Sequence, residues 1–242
     1  SKYSPLFFQQ FEIGSGIKAA YAPSFGQSAF SDTDKSKIKE LTKGFDYLSC
    51  RENDGAVLLS DIHEKDVPCV IDPTLLLTSD QWNKMMKVPK TDEKYMLVYD
   101  LNGGVSMLNV ARKVAAEKGL KIYCITRHPD SCFIYRGIEK VIYDAGPREF
   151  VGYFSHASYV ITDSFHGTAF SLIFHKNFNT YIAVPKSSQR IKSLLETCGL
   201  LNRIIGCGEH TDFADNCAEL FNEQAFAEYR KSSLDYLSTI FS

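Results

Sequence analysis

The chain has 242 residues and a formal net charge of −2, because 27 Lys and Arg residues oppose 29 Asp and Glu residues. Apolar residues make up 44% of the sequence and charged residues 23%, a balance that is typical of a folded domain and excludes extensive disorder. This composition provides no global positive field, so we expect no nucleic-acid partner, and any anion site has to be built locally. No apolar run approaches the length that spans a bilayer, so no transmembrane segment is predicted.

The seven cysteines form no CxxC pair, and no His stands at metal-ligand spacing from Cys198, Cys207 or Cys217. We interpret them as reduced, mostly buried thiols and expect no metal and no cofactor. The sequence shows no basic-then-apolar start, so no signal peptide is predicted. Because the first residue is not Met, we expect the chain to be processed, tagged or cut from something longer. These features favour a protein of the cytoplasm or of the inner face of the membrane.

Strand-like and helix-like segments alternate along the chain, as expected for an α/β protein with parallel strands. The first third predicts strands at Ile17–Ala22, Phe45–Cys50 and Pro68–Ile71, and helices at Asp32–Thr42, Glu52–Ile62 and, capped by Ser79, at 79–86. The polar segment Lys87–Glu93, which contains Pro89, is the best candidate for a linker.

A second series of strands and helices follows this linker. It predicts strands at Lys94–Asp100, Leu120–Thr126, Lys140–Tyr143, Ser158–Thr162 and Asn179–Ala183. It also predicts helices at Ser106–Lys118, Pro147–His156, Phe165–His175, Ser187–Cys198 and Phe221–Phe241. The pattern therefore predicts a Rossmann-like domain over residues 1–90, a second Rossmann-like domain over 91–215, and a closing helical segment, 216–242, that packs back across both.

The segment Thr162–Thr168, with the sequence TDSFHGT, connects a buried strand to a strongly apolar helix. In open parallel sheets, ligands bind beyond the carboxyl ends of the strands, and the free N–H groups of a helix start suit an anion. With an anion beside it, His166 could act as a general acid. The alternative is that Asp163 and Ser164 only cap the helix and that His166 is a core histidine.

Two further strand-to-helix corners carry cations. Lys186 and Arg190 lie at the start of a predicted helix, where positive charge opposes the helix dipole unless an anion binds. The alternative there is a solvated basic turn. Arg51 follows a predicted strand and is a candidate for binding a ligand. The alternative interpretation is that Arg51 only forms an ion pair with Glu52 or Asp54.

A weaker candidate is the turn Asn102-Gly103-Gly104, which could cradle a phosphate but matches neither GxGxxG nor GxxxxGK[ST]. The other histidines have no partner at informative spacing, and we interpret them as incidental. They are His63, His128, His156, His175 and His210.

Taken together, these segments resemble the polysaccharide pyruvyl transferase family. The matching stretches, in the order of the family, are YAPSFG (Tyr21–Gly26), Ser49–Glu52, DPTLLL (Asp72–Leu77), TDSFHGTAFSLIFHKNF (Thr162–Phe178) and the tail from Pro185 to Leu200. The resemblance implies a GT-B-like α/β fold, in which two Rossmann-like units face each other across a cleft and the second unit, 91–215, binds the donor substrate. It also implies that the first unit is incomplete at its N-terminus here.

The resemblance implies an enzyme that moves the pyruvyl group of phosphoenolpyruvate onto a sugar of a cell-surface glycan, or of its lipid-linked or nucleotide-linked precursor, as a cyclic ketal. By motif position, the functional residues of the family correspond to Arg51, His166 and Lys186. We predict that His166 is catalytic. The residues predicted to bind substrate are Arg51, Lys186, Arg190, Ser164 and Thr168.

The chain departs from the family at Ser164-Phe165, where many relatives carry Arg-Leu, so one anion contact is missing or comes from elsewhere. Two other functions stay open from the sequence. One is a GT-B nucleotide-sugar glycosyltransferase, which would bind a nucleoside diphosphate near Gly103 and Gly104. The other is a non-catalytic glycan-binding fragment.

Overall fold

The computed structural model describes residues 8, 14, 16–27, 29–128, 134–183, 188–206, 213 and 215–241. The chain divides into two compact units. The first comprises residues 1–76, 186–193 and 224–242, and the second comprises residues 77–185 and 194–223. The predicted domain boundaries at residues 90 and 215, and the packing of the closing segment across both domains, stay predictions.

The first unit contains short parallel strands. β1 (Ala19–Ala20) pairs with β2 (Tyr47–Leu48), and Cys50 forms a single parallel bridge with Cys69. The predicted strand Pro68–Ile71 is thus reduced to one bridge. The backbone N–H of Ile71 donates to the Ser233 hydroxyl at 2.9 Å instead of to a neighbouring strand.

The helices of the first unit follow their local sequence signals. They are α1 (Asp32–Thr42), α2 (Asn53–His63), α3 (Pro73–Leu76) and α10 (Glu223–Phe241). At the start of α1, the Ser31 hydroxyl accepts the N–H of Asp34, and the Asp34 carboxylate accepts the N–H of Ser31. This reciprocal capping box satisfies N–H groups that have no partner within the helix, which fixes where α1 begins.

The second unit is a parallel sheet with helices packed against it. Its described strands are β3 (Tyr95–Asp100), β4 (Lys121–Thr126), β5 (Lys140–Ile142), β6 (Tyr159–Thr162), β7 (Asn177–Tyr181) and β8 (Ile204–Ile205), in the sheet order β5-β4-β3-β6-β7-β8. The helices are α4 (Ser79–Asn83), α5 (Val105–Lys118), α6 (Pro147–His156), α7 (Phe165–Ile173) and α9 (Cys217–Leu220), while α8 (Gln189–Thr197) leads from the first unit into the second. Every strand pair in this sheet is parallel.

Several predicted elements differ in detail, and α4 and β7 are two of them in the second unit. Ser79 does not cap α4, because Thr78 stands at the N-cap and forms a capping box with Gln81. β7 begins at Asn177, two residues earlier than predicted, and Asn179 is buried within it. Its amide oxygen accepts the Tyr159 hydroxyl at 2.6 Å, which gives this buried polar group a hydrogen-bond partner.

The strand order determines where a ligand would bind in the second unit. The chain runs from β3 through β4 to β5 on one side, and then returns to build β6, β7 and β8 on the other side. In open α/β sheets with this order, ligands bind beyond the carboxyl ends of the two strands where the direction reverses. Here these strands are β3 and β6. No described helix is long and apolar enough to cross a membrane.

Candidate functional site

The turn after β6 places His166 at the surface, in the first turn of α7. The interpretation of His166 as a core histidine is therefore wrong. The close packing of α7 on β6 depends on Gly167, since a Cβ atom there would lie 2.8 Å from both Cβ and Cγ2 of Thr162. The ring of His166 lies edge-on to that of Phe165, with 5.6 Å between centroids.

Asp163 binds the loop that follows β3. Its Oδ1 accepts the N–H of Leu101 at 2.9 Å, and its Oδ2 accepts the N–H and the side-chain amide of Asn102 at 3.0 and 2.7 Å. Burial raises the pKa of the Asp163 carboxyl, and these N–H donors oppose that rise. Ser164 stands at the N-cap position of α7, but no side chain forms a capping hydrogen bond there, so the interpretation that Asp163 and Ser164 only cap the helix is wrong.

Asp100, at the end of β3, holds the same loop from the other side. This fully buried carboxylate accepts the N–H groups of Gly103 and Gly104 at 2.8 and 3.3 Å, and the Tyr135 hydroxyl at 2.6 Å. Burial and this hydrogen bond raise the pKa of Tyr135, so the phenol remains a donor. The loop is therefore fixed by two carboxylates, and α5 starts from it without a side-chain cap.

Two side chains that sequence reasoning missed follow β4 at the same edge. Arg127 Nε donates to the carbonyl oxygen of Leu101 at 3.0 Å, and His128 Nε2 lies 2.9 Å from that oxygen. Because the carbonyl only accepts, Nε2 of His128 carries the hydrogen. Their position directly after a central parallel strand was the signal that could have found them.

Ser164 and Thr168, which we predicted to bind substrate, are both buried. The Thr168 hydroxyl donates to the Ser164 carbonyl at 3.0 Å and shares a 2.8 Å hydrogen bond with the Thr180 hydroxyl. This geometry gives Ser164 and Thr168 a structural part in joining α7 to β6 and β7. Their roles in substrate binding stay predictions.

The second predicted corner is described only in part. Lys186 lies outside the described residues, and Arg190 lies in the first turn of α8. The residues predicted to form the apolar face of this helix are all buried. Ile191, Leu194 and Leu195 lie in α8, and Cys198 directly follows it. The roles of Lys186 and Arg190 stay predictions.

Arg51 lies in the first unit, at the end of the strand segment that contains β2. Its guanidinium forms an ion pair with the buried carboxylate of Asp72 at 2.7 Å and donates to the carbonyl oxygen of Ala22 at 3.2 Å. Arg51 is therefore ion-paired, as the alternative interpretation held, and Asp72 is a partner that this interpretation did not name. Its role in substrate binding stays a prediction.

Glu52 ties the same segment to the YAPSFG stretch. Its Oε1 accepts the N–H groups of Phe25 and Gly26 at 2.7 and 3.2 Å, and its side chain is buried. Together with the contacts of Arg51, these hydrogen bonds bring three of the stretches that carry the family resemblance into one place in the first unit.

Within the described ranges, no group of three or more His, Cys, Asp or Glu side chains is arranged to hold a metal ion. The described cysteines are free thiols, and they are Cys50, Cys69, Cys124, Cys198 and Cys217. Burial raises the pKa of the Cys50 and Cys198 thiols to about 12, so both stay protonated at neutral pH.

Residues 2–182 match the family model of polysaccharide pyruvyl transferases. The chain belongs to the polysaccharide pyruvyl transferase family. The matched residues include Arg51, Ser164, His166 and Thr168, whereas Lys186 and Arg190 lie beyond them. No curated protein matches the chain.

Solved structures with a similar fold include a complex of MnaA from S. aureus with UDP. It is 14% identical, with a TM-score of 0.55, and the match covers 95% of this chain and 66% of that one. UDP-GlcNAc 2-epimerase from Methanocaldococcus jannaschii, in complex with UDP-GlcNAc and UDP, is also 14% identical, with a TM-score of 0.49 and coverages of 84% and 63%. The aligned part of this pyruvyl transferase family member thus spans less than two thirds of either structure. The likeness to MnaA confirms the predicted GT-B-like α/β fold class.

Proposed function

We propose that this protein transfers the pyruvyl group of phosphoenolpyruvate to a sugar of a glycan or of a lipid-linked or nucleotide-linked glycan precursor, with His166 as the general acid. Family membership supports the reaction class. The observation that carries the assignment of His166 is its exposure in the first turn of α7, at the carboxyl edge where β3 and β6 meet.

The chemistry requires a proton donor. Protonation of the methylene carbon of phosphoenolpyruvate makes the neighbouring carbon electrophilic, and one sugar hydroxyl adds to it with loss of its proton. Cleavage of the bond to phosphate then allows a second hydroxyl of the sugar to add and close the ketal. A positioned acid such as His166 contributes on the order of 10²–10⁴-fold to such a step.

The donor carries a phosphate and a carboxylate, so the site also needs fixed positive charge. Lys186 and Arg190 are the proposed sources, because cations at a helix start are favourable when an anion binds between them. Arg51 is the third proposed source, and its charge is already partly balanced by Asp72. This proposal assigns the reaction to the cytoplasm or to the inner face of the membrane, where the glycan precursor would be met.

The test compares the His166→Ala variant with the unchanged protein by phosphate release from phosphoenolpyruvate in the presence of candidate sugar acceptors. We expect the rate to fall by about 10²–10⁴-fold. His156→Ala is the matched control, because His156 is also exposed in the second unit but, among the described residues, hydrogen-bonds the carbonyl of Gly152 within its own helix. Unchanged phosphate release in His166→Ala would remove His166 from the mechanism.

Calorimetry separates the pyruvyl transfer reaction from the other two functions. Binding of phosphoenolpyruvate, with no binding of UDP, supports the proposal. Binding of UDP but not of phosphoenolpyruvate would replace it with a nucleotide-sugar glycosyltransferase. Binding of an oligosaccharide alone, without turnover or competition by phosphoenolpyruvate, would indicate a glycan-binding protein.

A further inference from the structure

We propose that Arg127 is a further substrate-binding residue, whose guanidinium holds a phosphate or carboxylate group at the carboxyl edge of the second unit. The identity of the ligand as phosphoenolpyruvate rests on the proposed function. The site itself is argued from the contacts of Arg127, from the strand order and from the charges around the loop after β3.

Arg127 is exposed, yet its position is fixed. Its Nε donates to the carbonyl oxygen of Leu101 at 3.0 Å, on a loop that Asp100 and Asp163 hold in place. A guanidinium has five N–H donors, so this bond leaves four. The two Nη atoms have no hydrogen-bond or ion-pair partner among the described residues. Arg127 therefore offers a positioned pair of donors of the kind that binds a phosphate or carboxylate through two parallel hydrogen bonds.

The strand order brings Arg127 close to the turn that carries His166. β4 and β6 flank β3, and neighbouring strands lie about 4.8 Å apart, so the ends of β4 and β6 are separated by about 10 Å. Leu101 connects both sides, since its carbonyl oxygen accepts Arg127 and its N–H donates to Asp163. A small acid with two anionic groups can thus reach from Arg127 towards His166.

The charges at this edge favour the same role. The segment Thr162–Thr168 and the loop Leu101–Gly104 contain no Lys or Arg, whereas Asp163 lies in one and Asp100 directly precedes the other. Both carboxylates already accept N–H groups of the loop. A negatively charged donor therefore needs a cation at this edge, and Arg127 supplies it beside the uncapped starts of α5 and α7.

The experiment measures binding of phosphoenolpyruvate, inorganic phosphate and pyruvate by calorimetry to the whole chain and to its Arg127→Gln and Arg127→Lys variants. Arg148→Gln is the matched control, because Arg148 is also exposed in the second unit and also donates its Nε to a backbone carbonyl, that of Met85 at 2.9 Å. We expect Arg127→Gln to weaken binding of phosphoenolpyruvate about 10-fold or more, with partial recovery in Arg127→Lys and no change in Arg148→Gln. The phosphate and pyruvate arms show which group Arg127 holds.

The outcomes separate this inference from the proposed function. If phosphoenolpyruvate binds equally well to the unchanged protein and to Arg127→Gln, Arg127 is not a ligand and the proposed function stands. If inorganic phosphate binds but phosphoenolpyruvate does not, the donor assignment is wrong, and the phosphate affinity of Arg127→Gln decides the role of Arg127. If none of the three compounds binds, both proposals fail. Equal weakening in Arg127→Lys and Arg127→Gln, with a lower melting temperature in both, would mean that Arg127 only holds the loop.

Discussion

Asp163 is separated from His166 by two residues, and its side chain points to a different element. Both of its oxygens accept N–H groups of the loop after β3, at distances of 2.7–3.0 Å. The turn that presents His166 is therefore joined to the neighbouring strand end by one side chain. At the scale of single residues, this is the contact on which the geometry of the candidate site depends most directly.

Replacing Asp163 by Ala would leave the N–H groups of Leu101 and Asn102 without their acceptor. We expect the free energy of unfolding to fall by about 1–3 kcal/mol, the usual cost of unsatisfied hydrogen-bonding groups. Denaturant unfolding of the Asp163→Ala variant and of the unchanged protein measures this difference in the free energy of unfolding. Asp144→Ala is the control, because Asp144 is exposed and has no described hydrogen bond. Equal stability of the two variants would contradict the role of Asp163.

For single residues, the sequence could reveal features that depend on neighbouring positions but not contacts between residues that are far apart in the chain. His166 became a candidate because its neighbours form a contiguous strand-turn-helix pattern, and the family resemblance then selected it. Arg127 and its partner Leu101 are 26 positions apart and meet only because β4 lies beside β3 in the sheet. The partner of Arg51 was missed for the same reason, since Asp72 is distant in the sequence whereas Glu52 and Asp54 are near.

At the scale of elements, two helices with strong local start signals, α1 and α6, were predicted to the residue. α1 follows the capping box of Ser31, and α6 begins with Pro147 at a position where proline is well tolerated. The strands of the first unit are shorter than predicted, because apolar runs show where a strand can be buried but not how far its neighbour pairs. Tertiary hydrogen bonds, such as that of Ile71 to Ser233, decide where pairing stops.

The packing of α7 on β6 provides a test at this scale. Replacing Gly167 by Ala would place a Cβ atom 2.8 Å from two carbon atoms of Thr162, so the helix or the strand has to shift. We expect a loss of about 1–3 kcal/mol in the free energy of unfolding, as is typical when a packed interior receives an extra methyl group. Thermal or denaturant unfolding checks this value.

Gly44→Ala is the control for Gly167→Ala. A Cβ atom at Gly44 would have no atom within 4 Å, and its φ is not in the left-handed region. The free energy of unfolding of the Gly44→Ala variant should therefore differ from that of the unchanged protein by only a few tenths of a kcal/mol. If Gly167→Ala is as stable as Gly44→Ala, α7 is not held against β6 as closely as the structure indicates.

At the scale of the whole molecule, family membership could be inferred from the sequence because several motifs occur in one order over most of the chain. No single motif would have sufficed. The α/β class followed from the alternation of strands and helices, whereas the GT-B-like arrangement was implied by the family resemblance. The register of β7 and the contacts between strand ends could not be inferred, because they depend on which strands become neighbours.

Donor binding by the whole chain can be measured without an acceptor sugar. A ligand that binds only the folded state stabilises it by about 2.7 kcal/mol at a concentration 100 times its Kd, so phosphoenolpyruvate should raise the melting temperature. We expect a smaller rise in Arg190→Ala, which loses a proposed donor-binding cation in the first turn of α8. Lys192→Ala removes the same charge from the same helix, two residues further on, and should keep the full rise. An equal rise in Arg190→Ala and in the unchanged protein would exclude Arg190 from the donor site, because a lost ligand contact must lower the stabilisation at a fixed ligand concentration.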